Sequence, residues 1–285
     1  MPDDIVEIKP EVSILPGVKL NIRALLRRLT RQAEADPIAA VAHRFLHLFQ
    51  EHGVPIGQIP RLVPQLTLDK LRTTESLLPA LTGDVLDLTA NLFGVQRSWI
   101  EGASDCIYDC LWCYKRPEQF FEDLASSQIR GVFYPIRALF CTKTLDRTDS
   151  REQPIALILM EKVADLADEK VFRYRIYCDE WDWGYWKCRI QLKAMARLVD
   201  KELSNRIPLY RTDRKTLKEI CSGKRVPPTS ALRRPTNDLS LEDFALGPED
   251  TKCSKEIEEL PIVLEYIKNN ALDKIARREL RKLRG

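Results

Sequence analysis

Apolar residues along this chain recur at two spacings, and the change from one to the other divides it. From Asn21 to about Gly53, Leu25, Leu26 and Leu29, then Ala39, Ala40, Ala42, Phe45, Leu46 and Phe49, return at helical intervals. Asp36-Pro37 breaks and restarts that run, and Gly53 suits the residue after a helix end. Residues 55–102 hold several short helical stretches separated by Pro64-Gln65, by Pro79 to Gly83 and by Gly94. Residues 117–127 predict one more short helix, opened by Pro117. Segments 131–142, 154–163 and 171–181 are instead rich in Val, Ile, Phe and Tyr, which predicts three antiparallel strands. Helical spacing returns over 186–204 through Ile190, Leu192, Met195, Leu198 and Val199, and an amphipathic helix is predicted over 262–284.

This order predicts an α+β fold, with an all-helical domain followed by a small antiparallel sheet and flanking helices. The expected divisions are an extended arm over 1–18, a helical domain over 19–127, and a sheet-plus-helix domain over 128–205 for sensing or dimerisation. A basic then acidic linker over 206–260 and a basic terminal helix over 261–285 complete the chain. At 285 residues, 44% hydrophobic and 31% charged, it has enough apolar material for a core and is not disordered throughout. No membrane partner is expected, because the longest greasy stretch, Ile155 to Met160, is strand-sized. The opening MPDDIVEIKP lacks the apolar run of a signal peptide, so the expected setting is a reducing cytoplasm with free thiols.

The segment 51–102 carries the most specific landmarks. Gln58 lies near the start of its second helical stretch, and Thr67 to Leu78 form the third. Leu86, Ala90, Phe93, Gly94 and Val95 follow a Leu-x-x-x-Ala-x-x-Phe-Gly-Val pattern, and Trp99, Ile100 and Gly102 match a closing Trp-Leu-x-Gly turn. On these residues the segment, about a fifth of the chain, resembles the helix-turn-helix module of the Cro and phage-repressor class, the XRE family. Pro60 and Pro64 depart from that family, whose second helix is usually uninterrupted. The resemblance implies a transcription regulator that binds double-stranded DNA, with Thr67–Leu78 as the recognition helix. It implies a contact set of Gln58, Arg61, Thr67, Lys70, Arg72, Thr73 and Thr74. It also implies a homodimer with half-sites roughly 34 Å apart, and neither a cofactor nor a catalytic residue.

Charge changes this picture. The overall balance of +3 conceals four basic against six acidic residues within 51–102, a local balance of −2. Residues 211–234 carry +6 and the last twelve residues +5. Arg211, Arg214, Lys215, Lys224 and Arg225 in the first run, and Arg277, Arg278 and Arg281 in the second, are candidate phosphate contacts that could supply the missing charge. Solvated faces are the plainer meaning of such runs.

Three of the eight cysteines, Cys106, Cys110 and Cys113, form a C-x3-C-x2-C cluster. This looks like the cluster loop of radical S-adenosylmethionine enzymes, where three thiolates hold a [4Fe–4S] centre, and an iron–sulfur enzyme is one alternative function. The strand–helix alternation of such enzymes does not follow the loop, and no fourth zinc ligand is local, so structural thiols are expected. His43 and His47, one helical turn apart, read as a polar helix face. The run Cys178 to Trp186 holds three Trp and one Tyr and reads as a core corner, with Asp179, Glu180 and Asp182 making its turn acidic and solvated on one side. A second alternative function is a protein-interaction module that keeps the helix-turn-helix fold without binding DNA.

Overall fold

Asp36 starts the first helix as expected. Its carboxylate accepts the Ile38 N–H at 2.8 Å, and Pro37 opens α1 (Pro37–Glu51). The structure, a computed structural model, describes residues 36–127, 129, 132, 134–166, 169–179, 181–228, 232, 235, 240–245 and 258–283. The expected arm over 1–18 and the helical positions Leu25, Leu26 and Leu29 lie outside them. A short turn (Ile56–Gln58) leads into α2 (Ile59–Leu62), followed by α3 (Thr74–Leu77), α4 (Gly83–Phe93), α5 (Arg97–Ile100) and α6 (Pro117–Ala125). Thr82 caps α4, and Gly94 ends it at φ +66°, a left-handed geometry that glycine adopts without steric cost.

The sheet follows in β1 (Ile136–Phe140), β2 (Pro154–Leu166), β3 (Glu169–Ile176) and β4 (Trp181–Asp182). The chain then runs through α7 (Trp186–Leu203), β5 (Leu209–Arg211), α8 (Arg214–Cys221), a turn (Leu241–Phe244), α9 (Leu260–Asn269) and α10 (Leu272–Arg281). The fold is α+β, and two details differ from expectation. The sheet has five strands in the order β3-β2-β1-β5, with β4 also paired to β2 and β5 parallel to β1. The terminal helix is two helices, separated at Ala271, whose φ is +50°.

β2 explains why the sheet sits at the centre. Ile155 to Met160 is apolar at every position, so both faces of the strand need cover. Ala156, Ile158 and Met160 share a core with Leu139, Tyr174 and Ile176 and with Phe45, Phe49 and Phe93 of the N-terminal helices. Ile155, Leu157 and Leu159 point the other way and join Ile136, Ala138 and Phe140 against α6, α7, α9 and α10. The sheet is therefore the middle of three layers.

His52 fastens the first layer to the sheet. Its ring lies 4.2 Å from Phe93 and 5.3 Å from Tyr174, and Nδ1 is 2.8 Å from the Leu48 carbonyl. Burial pulls its pKa down to about 4, although the bond to Leu48 opposes the shift. Protonation thus costs more in the folded state, and stability falls as pH drops from 6.5 through 4. Urea melts of the His52→Phe variant across this window should show a shallower loss than the wild type; identical slopes would show that another group carries it.

Candidate nucleic-acid interface

The segment matched to the recognition helix does not form one. Thr67 to Arg72 make a turn held by Lys70 N–H to Thr67 O at 3.1 Å and Leu71 N–H to Leu68 O at 3.3 Å. Helix resumes only at Thr74 and lasts four residues. The cause is local. The Thr67 hydroxyl donates to the Asp69 carboxylate, while Thr73 and Ser76 exchange side-chain and backbone bonds in a capping box. The Thr73 and Ser76 side chains satisfy backbone groups that a continuous helix would pair internally. Pro60, in the first turn of α2, is tolerated there, and α2 stops before Pro64.

The expected contact residues are placed unequally. Arg61, Thr67, Lys70, Arg72 and Thr73 are exposed and Gln58 is half-buried. Thr74 is buried, at 7% exposure, and is withdrawn from the contact set. Side chains also redistribute the module's charge. Arg97 pairs with both Asp87 and Glu101 at 2.8 Å, tying up two of the six acids far along the chain from the turn. Between Gln58 and Thr74 three basic residues face one acid, Asp69, which lies 3.9 Å from Lys70. Arg61 and Arg72 have no ion pair among the described residues. The local balance is +2, opposite in sign to that of the whole module.

The two basic runs lie on opposite sides of the sheet. Leu217 and Ile220 of α8 pack with the N-terminal helical layer, and Leu272, Ala276 and Leu280 of α10 pack against the other face. Several of their cations already have partners. Arg214 pairs with Glu152, Lys215 and Arg225 with Glu219, Arg277 with Glu202 at 3.6 Å and Arg278 with Glu279 at 2.7 Å. Arg211, Lys224 and Arg281 are exposed. Arg233, Arg234 and Arg284 lie outside the described residues.

The cysteine cluster is taken apart. Cys110 forms a disulfide with Cys178, which corrects the expectation of free thiols throughout. Cys113 is fully buried, and burial foremost, with Asp179 beside it, pushes its thiol well above the ordinary range. Cys106 sits apart, its sulfur 3.9 Å from the Ser222 carbonyl. Cys110 is thus bonded to Cys178, and among the described residues no three His, Cys, Asp or Glu side chains gather as a metal site. His43 and His47 stack at 5.8 Å on the half-exposed side of α1.

The corner at 178–186 differs from expectation in two respects, of which one is that Tyr185 and Trp186, at 42% and 51% exposure, lie outside the core. Trp181 and Trp183 are buried, but so is Asp179, at 3% exposure. Its two carboxylate oxygens accept the backbone N–H groups of Cys113 and Tyr114 at 2.9 Å each. Gln191 accepts the Lys115 N–H at 2.9 Å and donates to the Cys113 carbonyl at 2.8 Å. A buried acid and amide thus hold loop 113–115 rigidly, with Lys115 at φ +64°. Asp179 and Gln191 stand among other polar residues in the sequence and their partner loop lies more than sixty residues away, so no local signal marks them. No helix among the described residues is long and apolar enough to cross a membrane. No family model, curated protein or solved structure matches the chain.

Proposed function

We propose that the chain is a DNA-binding regulator that meets double-stranded DNA with the exposed turn between Gln58 and Thr73. The observation that supports this best is the charge placement, with unpaired Arg61 and Arg72 and exposed Lys70 on a turn whose single acid, Asp69, lies against Lys70. Without a long recognition helix the contact is dominated by phosphates, so affinity depends strongly on salt and weakly on sequence. A homodimer brings two such turns to one duplex and compensates for the weakness of each. Fluorescence anisotropy against labelled duplexes tests this. The Arg61→Ala/Arg72→Ala variant should bind more weakly and lower the slope of log affinity against log salt by about 2. A wild-type protein that binds no duplex at low salt rejects the proposal.

One observation favours a second reading. Leu68, at the tip of the same turn, is 59% exposed, and an apolar tip suits a protein partner better than a phosphate. On that reading Leu68→Ser abolishes co-purification of a partner and leaves DNA titrations unchanged.

A further inference from the structure

Glu242, in the turn Leu241–Phe244, is fully buried, at 0% exposure. Its Oε1 accepts the Ile207 N–H at 2.7 Å, just ahead of β5. Its Oε2 is also buried and has no hydrogen-bond partner among the described residues. An ionised carboxylate held this way keeps its charge poorly solvated, whereas the protonated acid carries no such penalty. Burial foremost pushes the carboxyl from 4.5 up to about 7, although hydrogen bonds from Ser240 and Ile207 and the charge of Arg206 pull the other way.

The groups around Glu242 leave its charge without a direct partner. Arg206 bonds to Asp243 at 2.6 Å, and the other Asp243 oxygen accepts the Ser240 N–H at 2.8 Å. From α7, Arg197 donates to the Ala245 carbonyl at 3.2 Å, while Arg189 and Lys193 bond to Glu259. None of these cations is ion-paired with Glu242. The same turn is seated by the Leu241 N–H on the Ile207 carbonyl at 2.9 Å and by a bridge between Pro208 and Ser240. Leu241 and Phe244 join the core beneath α7, where the Phe244 ring lies 5.2 Å from Trp183.

We propose that Glu242 is a proton-operated latch that, when protonated, keeps the turn at 240–245 seated on α7 and the start of β5 and, when ionised, lets it lift and uncover Leu241, Phe244 and Trp183. The lifted turn returns the carboxyl to water, where it ionises near 4.5. Opening is therefore indifferent to pH below 4.5, rises about tenfold per pH unit between 4.5 and 7, and levels off above 7. The whole change is roughly 300-fold. Its sign is opposite to that of His52, whose contribution to stability grows as pH rises from 4 to 6.5, so global unfolding does not mimic it.

Amide hydrogen exchange of the full chain from about pH 4 to about pH 8, corrected for intrinsic rates, tests the latch. Protection of the Ile207, Leu241 and Ala245 N–H groups, all bonded within or onto this turn, should fall roughly 300-fold across the window, while the sheet amides of Met160 and Tyr177 should not follow. Glu242→Gln keeps an acceptor for Ile207 and does not ionise, so its turn should hold constant protection. A wild type whose turn amides lose no protection between 4.5 and 7, or a Gln variant with the same loss, overturns the proposal. Should Glu242→Gln fail to fold, a carbon-13 titration of the wild-type carboxyl decides. A midpoint near 7 supports the latch, and one at 4.5 or below overturns it.

Discussion

Cys110→Ser unfolds at markedly lower urea than the wild type, with a loss of about 2–4 kcal/mol. The disulfide to Cys178 closes a loop across a sequence separation of 68. Constraining a loop of that length in the unfolded chain is worth roughly 4 kcal/mol on the chain-entropy account, and engineered cases usually deliver less. The bond also fastens the loop after the N-terminal helices to the end of β3, where the Leu111 N–H meets the Ile176 carbonyl at 2.9 Å and the Cys178 N–H meets Leu111 O at 2.9 Å. Cys110 is half-exposed, so serine adds little desolvation cost of its own. Wild-type protein in excess dithiol reductant should melt where the variant melts. Equal urea midpoints for oxidised wild type and Cys110→Ser would show that the link constrains nothing.

Glu259→Ala should cost about 3–5 kcal/mol, the usual result of removing one member of a buried ion cluster. Glu259 is 7% exposed and accepts Arg189 Nε at 2.9 Å, Arg189 Nη2 at 2.6 Å and Lys193 Nζ at 2.8 Å. The Lys193 side chain is wholly buried, with its ammonium 5.4 Å from the Trp183 ring. Truncation leaves two cations out of water without that carboxylate. Burial pushes the Glu259 carboxyl up, but the bonds from Arg189 and Lys193 outweigh it and hold it at about 2, below the ordinary 4.5. Between those values the folded chain binds fewer protons than the unfolded chain. This contribution is therefore complete above pH 4.5 and is lost as pH falls towards 2. Urea melts from pH 6 down to about 2 should show Glu259→Ala with a shallower acid dependence than wild type, and parallel curves would refute the assignment.

Local chemistry made much of the fold legible, and distant partners hid the rest. Asp36-Pro37, Thr82 and Gly94 place their helix ends because caps act over three or four residues. Ile155 to Met160 announces a strand covered on both faces. β5 is three residues long and sits in a stretch whose basic composition suggested a linker. α8 shares that stretch, and its apolar stripe contains little beyond Leu217 and Ile220. The recognition helix failed for the opposite reason. Its pattern was helical, but Thr73 and Ser76 spend their side chains on the backbone and Thr67 spends its hydroxyl on the Asp69 carboxylate. At the candidate site the basic residues were legible one by one. The convergence of the Cys113 loop with the 178–186 corner depends on tertiary contacts that no spacing encodes.

The packing of α6 against α10 sets the order in which this protein is able to finish folding. Phe120, Phe121 and Leu124 of α6 share their core with Leu272, Ala276 and Leu280 of α10, which is synthesised after the whole sheet. During translation at about 5–20 residues per second, α6 waits many seconds, with at most the sheet side of its apolar face covered, until α10 emerges. The nascent chain is then a natural client for a chaperone, and truncations that remove α10 should accumulate in aggregates instead of as a smaller stable domain.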